Sequence, residues 1–149
     1  MKTQLKSILV LFGGLITFFS GCKKDDGLGT FIKSTYTSYV VTKDGSIHTG
    51  TFEATGGVSG SGTAVMDVHV IDDSSFCTLW LTQNGGSLKI KEACSNDMAN
   101  PTGSWRIVDG TGIYRWSRGR GRLTMEFPPD VPEGVNVIET FTGTVWLKP

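Results

Sequence analysis

From residue 31 onward, apolar and polar residues alternate in short runs, and no window holds apolar residues at i, i+3, i+4 and i+7. A period of two places successive side chains on opposite faces of an extended chain, so each run reads as a strand with one buried face. The pattern predicts strands over 31–42, 47–54, 63–71, 76–82, 87–93, 104–108, 121–127 and 135–147. Turn-forming runs separate them: Lys43-Asp-Gly-Ser46, Gly56-Gly-Val-Ser-Gly-Ser-Gly62, Asn84-Gly-Gly86 and Pro128-Pro-Asp-Val-Pro-Glu-Gly134. About eight short strands with hairpin-like connections imply an all-β fold, a single small antiparallel up-and-down β-barrel or a closed sandwich, because closure removes exposed strand edges.

The stretch from Gly103 to Arg122 constrains this architecture most. A strand through Trp105 runs into Gly110-Thr-Gly112, an aromatic link follows, and Gly119-Arg-Gly121 opens a strand that alternates through Leu123, Met125 and Phe127. Glycines at this spacing predict a tight corner in a curved sheet or barrel. Gly103, Trp105, Gly110, Thr111, Gly112, Tyr114, Gly119 and Gly121 together resemble the pattern of small bacterial barrels related to allene oxide cyclases and, more distantly, plant dirigent proteins. The resemblance covers roughly the last third of the chain and implies a calycin-like barrel. Tyr114-Arg-Trp-Ser-Arg118 replaces the small apolar link usual in that pattern.

The amino terminus reads as a targeting segment. Lys2 and Lys6 form a basic start, and Ile8 to Phe19 is an apolar run of secretory length, shorter than the roughly twenty residues of a membrane span. Phe19-Ser-Gly-Cys22 resembles the lipobox of bacterial lipoproteins, with Phe19 where leucine is usual. The resemblance implies a signal peptide over 1–21 and lipidation at Cys22. Lys23-Lys-Asp-Asp26 and Gly27-Leu-Gly29 then form a charged tether over 22–29, with the barrel domain over 30–149. The expectation is an outer-membrane lipoprotein of the bacterial envelope, anchored to the bilayer without crossing it.

Composition refines this picture. The 149 residues carry 14 basic and 14 acidic side chains, and loss of Lys2 and Lys6 with the signal leaves a slightly acidic chain, which argues against a general nucleic-acid partner. Every arginine nevertheless falls between Arg106 and Arg122, a local basic patch suited to an anionic ligand, lipopolysaccharide or a surface glycan, or to a solvated rim.

Motifs for catalysis, metals and cofactors do not emerge. Gly56–Gly62 lacks the Lys-Ser/Thr ending of a phosphate-binding loop, and neither a Gly-x-Ser-x-Gly elbow nor a His-Glu-x-x-His helix occurs. Asp67 and His69 share a strand face opposite Met66, Val68 and Val70, which places them at the surface, with no third metal ligand fixed by spacing. Cys77 and Cys94 flank the hairpin at Asn84-Gly-Gly86. A Gly85-Gly86 turn sets them directly opposite each other and predicts a disulfide, whereas an Asn84-Gly85 turn opposes Cys77 to Glu92. The cysteine pair favours the first register.

On the last strand Val135, Val137, Glu139, Phe141, Val145 and Leu147 share one face, so parity turns the Glu139 carboxyl inward with the apolar residues. A carboxyl in a barrel interior is costly unless paired, hydrogen-bonded or protonated, which makes Glu139 a candidate ligand-binding residue. Trp105, Tyr114 and Arg118 join it as candidates for the wall or rim of a site. The sequence thus favours an anchored lipoprotein whose barrel binds a small apolar or anionic ligand, or a glycan, without catalysis. The alternative is a cyclase- or isomerase-like barrel acting on a small apolar substrate in its cavity.

Overall fold

The computed structural model describes residues 26–71, 74–95, 99, 101–129 and 137–148. The expected signal segment and Cys22 lie outside the described residues. Eight strands follow one another: β1 (Leu28–Val41), β2 (Gly45–Gly56), β3 (Gly60–Ile71), β4 (Ser74–Gln83), β5 (Gly86–Ser95), β6 (Thr102–Gly110), β7 (Arg118–Glu126) and β8 (Val137–Trp146). Each pairs antiparallel with the next, and β8 pairs with β1 to close the barrel. The seam between β1 and β8 sets Ser34 opposite Glu139 and Tyr36 opposite Val137.

The period of two read from the sequence is what builds the wall. Ile32 and Tyr36 on β1, Leu79 and Leu81 on β4, Leu88 and Ile90 on β5, and Phe141 and Val145 on β8 point inward and are buried. An eight-stranded barrel has an interior about wide enough to be filled by side chains, and here those residues fill it. Their outward neighbours, Lys33, Glu53, Lys91, Arg106 and Arg120, are exposed. Val70 departs from expectation: it is exposed together with Ile71, because β3 runs past its last buried residue, Met66.

Two close approaches explain the glycines of the 103–122 stretch. Gly121 on β7 is paired with Gly143 on β8, and the Trp105 indole lies against both. A Cβ on Gly121 would come 2.7 Å from Trp105 Nε1, and one on Gly143 would come 2.7 Å from its ring carbon Cζ2. The indole N–H donates to the Arg122 and Thr142 carbonyls at 3.0 and 3.2 Å, so the tryptophan ties β6 to β7 and β8 from inside. Beyond the Arg106–Arg120 pair, β6 and β7 are no longer paired, and the connection folds as a short 3-10 turn, η1 (Gly112–Tyr114). That turn packs on the β4–β5 hairpin, where Ile113 N–H donates to the Gly85 carbonyl at 2.9 Å.

The hairpin register corrects the sequence expectation. The turn is Asn84-Gly85, with Gln83 opposite Gly86 and Gly85 at φ +100°, a conformation that glycine adopts without a side-chain clash. Cys77 therefore faces Glu92, and Cys94 faces Ser75. The two cysteines are diagonal neighbours on the inner face, and both are free thiols, so the expected Cys77–Cys94 disulfide is not formed. The Gly56–Gly62 run also holds more structure than a flexible loop. Strands cover all but residues 57–59, and Val58 is buried, its N–H donating to Thr30 Oγ1 at 2.9 Å.

Candidate functional site: an interior acid cluster and an outer basic groove

Glu139 sits where parity places it, on the inner face of β8 and fully buried. Across the seam, the Tyr36 hydroxyl donates to Glu139 Oε2 at 2.7 Å. Glu139 Oε1 has no hydrogen-bond partner, nor does the buried Ser34 Oγ. Glu92 enters from β5 and is 3% exposed, and both of its carboxyl oxygens lack partners. The two carboxyls are near enough for their charges to interact, but no hydrogen bond of ordinary geometry satisfies Glu92.

Burial governs the protonation of this cluster. It raises Glu139 to about 7, against the opposing pull of the Tyr36 hydrogen bond and of Glu92. Glu92 is raised well above the usual carboxyl range, first by burial and then by the Glu139 charge. The Tyr36 hydroxyl is raised as well, by burial and then by the Glu139 and Glu92 charges. The cluster therefore sets Glu92, whose protonated form is favoured by burial and by the Glu139 charge, beside a Glu139 poised near neutral pH between its two forms. Such a pair can donate and accept hydrogen bonds, and in contact with a substrate it could move a proton.

The other predicted site residues go to different places. Trp105 is buried, with its N–H committed to two carbonyls. Tyr114 is buried in η1, where Gln83 Nε2 donates to its hydroxyl. Arg118 is exposed on the outer side of β7, whereas Glu139 is buried on the inner face of β8. Arg118 borders an open cleft of about 1000 Å³ near the parting of β6 and β7, with Asp109, Trp116 and Arg120. Tyr36 and Ser34 were missed. Their alternation with Ile32 carries the signal, but only the 103-residue separation closed at the seam turns it into a site.

A second feature lies on the outer wall. Lys91 on β5 is directly opposite Arg106 on β6, which is directly opposite Arg120 on β7. Arg122 follows two positions along β7, and all four are exposed. The one ion pair among the described residues joins Asp67 to His69 at 3.2 Å, at the surface as the sequence placed it; Asp67 continues the same row through Thr78, two strands from Lys91, and His69 lines the same groove as the cations. Like charges directly opposite on neighbouring strands repel, so the ladder is unfavourable until an anion meets it. The cations line a groove of about 1300 Å³ that also contains Phe76, Thr142, Thr144 and Trp146.

No protein-family model matches the chain, and no curated protein matches it. Among solved structures, the chain is similar to the pterocarpan synthase dirigent protein GePTS1, with a TM-score of 0.52 and 18% identity over 99% of this chain and 100% of that one. At that identity the likeness speaks for architecture. The protein is a closed, eight-stranded antiparallel barrel, a fold similar to that of the dirigent protein.

Proposed function

We propose that this barrel is a non-catalytic binding module, carried at the bacterial envelope by a lipid on Cys22, and that its outer groove holds an anionic saccharide. The observation that carries the reading is the Lys91–Arg106–Arg120 ladder, three cations stacked across three strands with no acidic partner among the described residues. Sulfate, phosphate or carboxylate groups on a sugar would remove the repulsion, and Phe76 and Trp146 offer apolar faces for sugar rings. Anchoring rests on the basic start, the apolar run and the Ser-Gly-Cys22 ending. Exposed Lys33, Glu53 and Lys91 on the wall are unlike the apolar band of a barrel that crosses lipid.

The experiment is calorimetric titration with a sulfated oligosaccharide derived from heparin, beside a neutral oligosaccharide of equal length. Only the sulfated probe should bind, more weakly as ionic strength rises. Lys91→Ala/Arg106→Ala/Arg120→Ala should lower affinity roughly 3- to 150-fold, the range for three exposed charge contacts. Equal binding of the two probes, or indifference to the triple substitution, would reject the groove as the site.

One observation favours a second reading, a cyclase- or isomerase-like barrel. Glu139 and Glu92 form an interior acid–base pair, and the similar dirigent protein is described as a pterocarpan synthase. A substrate would have to reach carboxyls enclosed among Phe141, Leu79 and Ile90, all fully buried. That packing is why the binding module is preferred.

A further inference from the structure

We propose that Cys77, Glu92 and Cys94 form a site for a thiophilic divalent cation of the zinc class. The β4–β5 register places all three on the inner face of one hairpin, Cys77 opposite Glu92 and Cys94 two residues further along β5. The two Sγ atoms and a Glu92 carboxyl oxygen all lie within 4.8 Å of one another. Around a tetrahedral ion with bonds of about 2.3 Å to sulfur and about 2.1 Å to oxygen, such donors stand roughly 3.5–3.8 Å apart. Rotamer adjustments within the hairpin can close that difference.

The second observation is the condition of Glu92 itself. It is 3% exposed, it is aimed into the cluster, and neither oxygen has a hydrogen-bond partner. A buried carboxyl without partners is expensive to keep, whereas a cation between it and the two sulfurs satisfies all three groups together. The same arrangement accounts for two buried thiols standing close without a bridge.

The donor set selects the ion. Two sulfurs and one carboxylate suit zinc and its thiophilic analogues, while magnesium and calcium prefer shells of oxygen. As the ion enters, both thiols and the Glu92 carboxyl release their protons to solvent and each forms a bond to the metal, with no change of oxidation state. Three protein ligands leave a fourth position for water or a ligand atom. Glu139, whose charge acts on Cys77, Glu92 and Cys94 alike, is the protein group best placed to hold that water. The site shares no residue with the cationic ladder, so it stands or falls independently of saccharide binding.

The test uses a full-length Cys22→Ser chain in detergent, in which Cys77 and Cys94 are the only thiols. The reduced, chelator-stripped protein is titrated with Co2+ and then Zn2+. One equivalent of cobalt should bind with a thiolate-to-cobalt charge-transfer band that zinc abolishes, and excess Mg2+ should leave the band intact. Glu92→Gln should weaken zinc binding by more than the roughly 10- to 100-fold lost with an outer-shell partner. X-ray absorption on the zinc-loaded protein gives an independent count that needs no cysteine substitution, with two sulfurs expected as ligands to the metal. Fewer than two sulfurs, no charge-transfer band with both thiols free, undiminished binding by Glu92→Gln, or a Cys77–Cys94 disulfide in protein taken from its own envelope would each overturn the proposal.

Discussion

Replacing Glu139 with Gln should change how stability depends on pH. Glu139 is fully buried and its pKa is raised from an ordinary 4.5 to about 7 in the folded protein. A carboxyl that is harder to ionise when folded favours folding in its protonated form. Its contribution is most favourable below the unfolded value of 4.5, declines as pH rises towards 7, and is level above that. At about 1.4 kcal/mol per unit, the loss across the window is about 3 kcal/mol. Gln carries no charge at any of these pH values, and its amide oxygen can still accept from the Tyr36 hydroxyl, so the variant should lose this slope while keeping the shape. The measurement is chemical denaturation of metal-free, reduced wild type and Glu139→Gln from pH 4 to pH 9. The two should lie close together at pH 4, with the variant gaining on wild type by about 3 kcal/mol by pH 8. Losing the Glu139 charge also removes a repulsion from Glu92, so the Glu92 carboxyl should titrate lower in the variant. Parallel stability curves, with no pH-dependent gap, would show that Glu139 ionises as freely inside the barrel as in the unfolded chain.

Three further outcomes are expected, the first from the sequence and the other two from the structure. Metabolic labelling with a fatty acid should tag the wild type and not Cys22→Ser, and label that survives the substitution would remove the anchor. Gly121→Ala should destabilise the fold by about 1–3 kcal/mol or more, since its Cβ would lie 2.0 Å from the Thr142 carbonyl oxygen as well as against Trp105; an unchanged midpoint in urea would contradict that packing. Cys77 and Cys94 are buried and unbridged, so in reduced, metal-free protein they should resist alkylation while folded and react together on unfolding, and rapid modification of the native protein would show that the inner face is open.

Much of this architecture is written in residue parity. Alternation alone finds eight strands, turns Glu139 inward beside Phe141, and sets Lys91, Arg106 and Arg120 on the opposite face from Ile90, Trp105 and Leu123. Local chemistry does not choose between Asn84-Gly85 and Gly85-Gly86, because both dipeptides suit a two-residue hairpin. Thr111, on the β6–β7 link, contacts the hairpin through its N–H and hydroxyl at Ser87, 24 positions away, a constraint with no local signature. Val58 was hidden for a related reason. Its neighbours are glycine and serine, and only the hydrogen bond to Thr30 reveals that the loop tip is tucked in. The arginine cluster was visible in sequence, but Lys91 joins it only through the pairing of β5 with β6.

The seam where β8 meets β1 has a consequence for how the protein matures. Every other pairing joins consecutive strands and can zip from its own turn, whereas the seam joins the two ends of the domain. Formed first, a contact spanning 103 residues would cost about 4 kcal/mol in chain entropy; added to a sheet already curled by seven hairpin steps, it costs far less. The kinetically cheap order therefore leaves β1 and β8 as two open edges until the end, each able to recruit a strand from another nascent chain. The Tyr36–Glu139 hydrogen bond cannot exist before that moment, so the interior cluster is assembled by the same event that ends the window for intermolecular pairing. A chain truncated before β8 would lose the acid cluster and its protection against aggregation in one step.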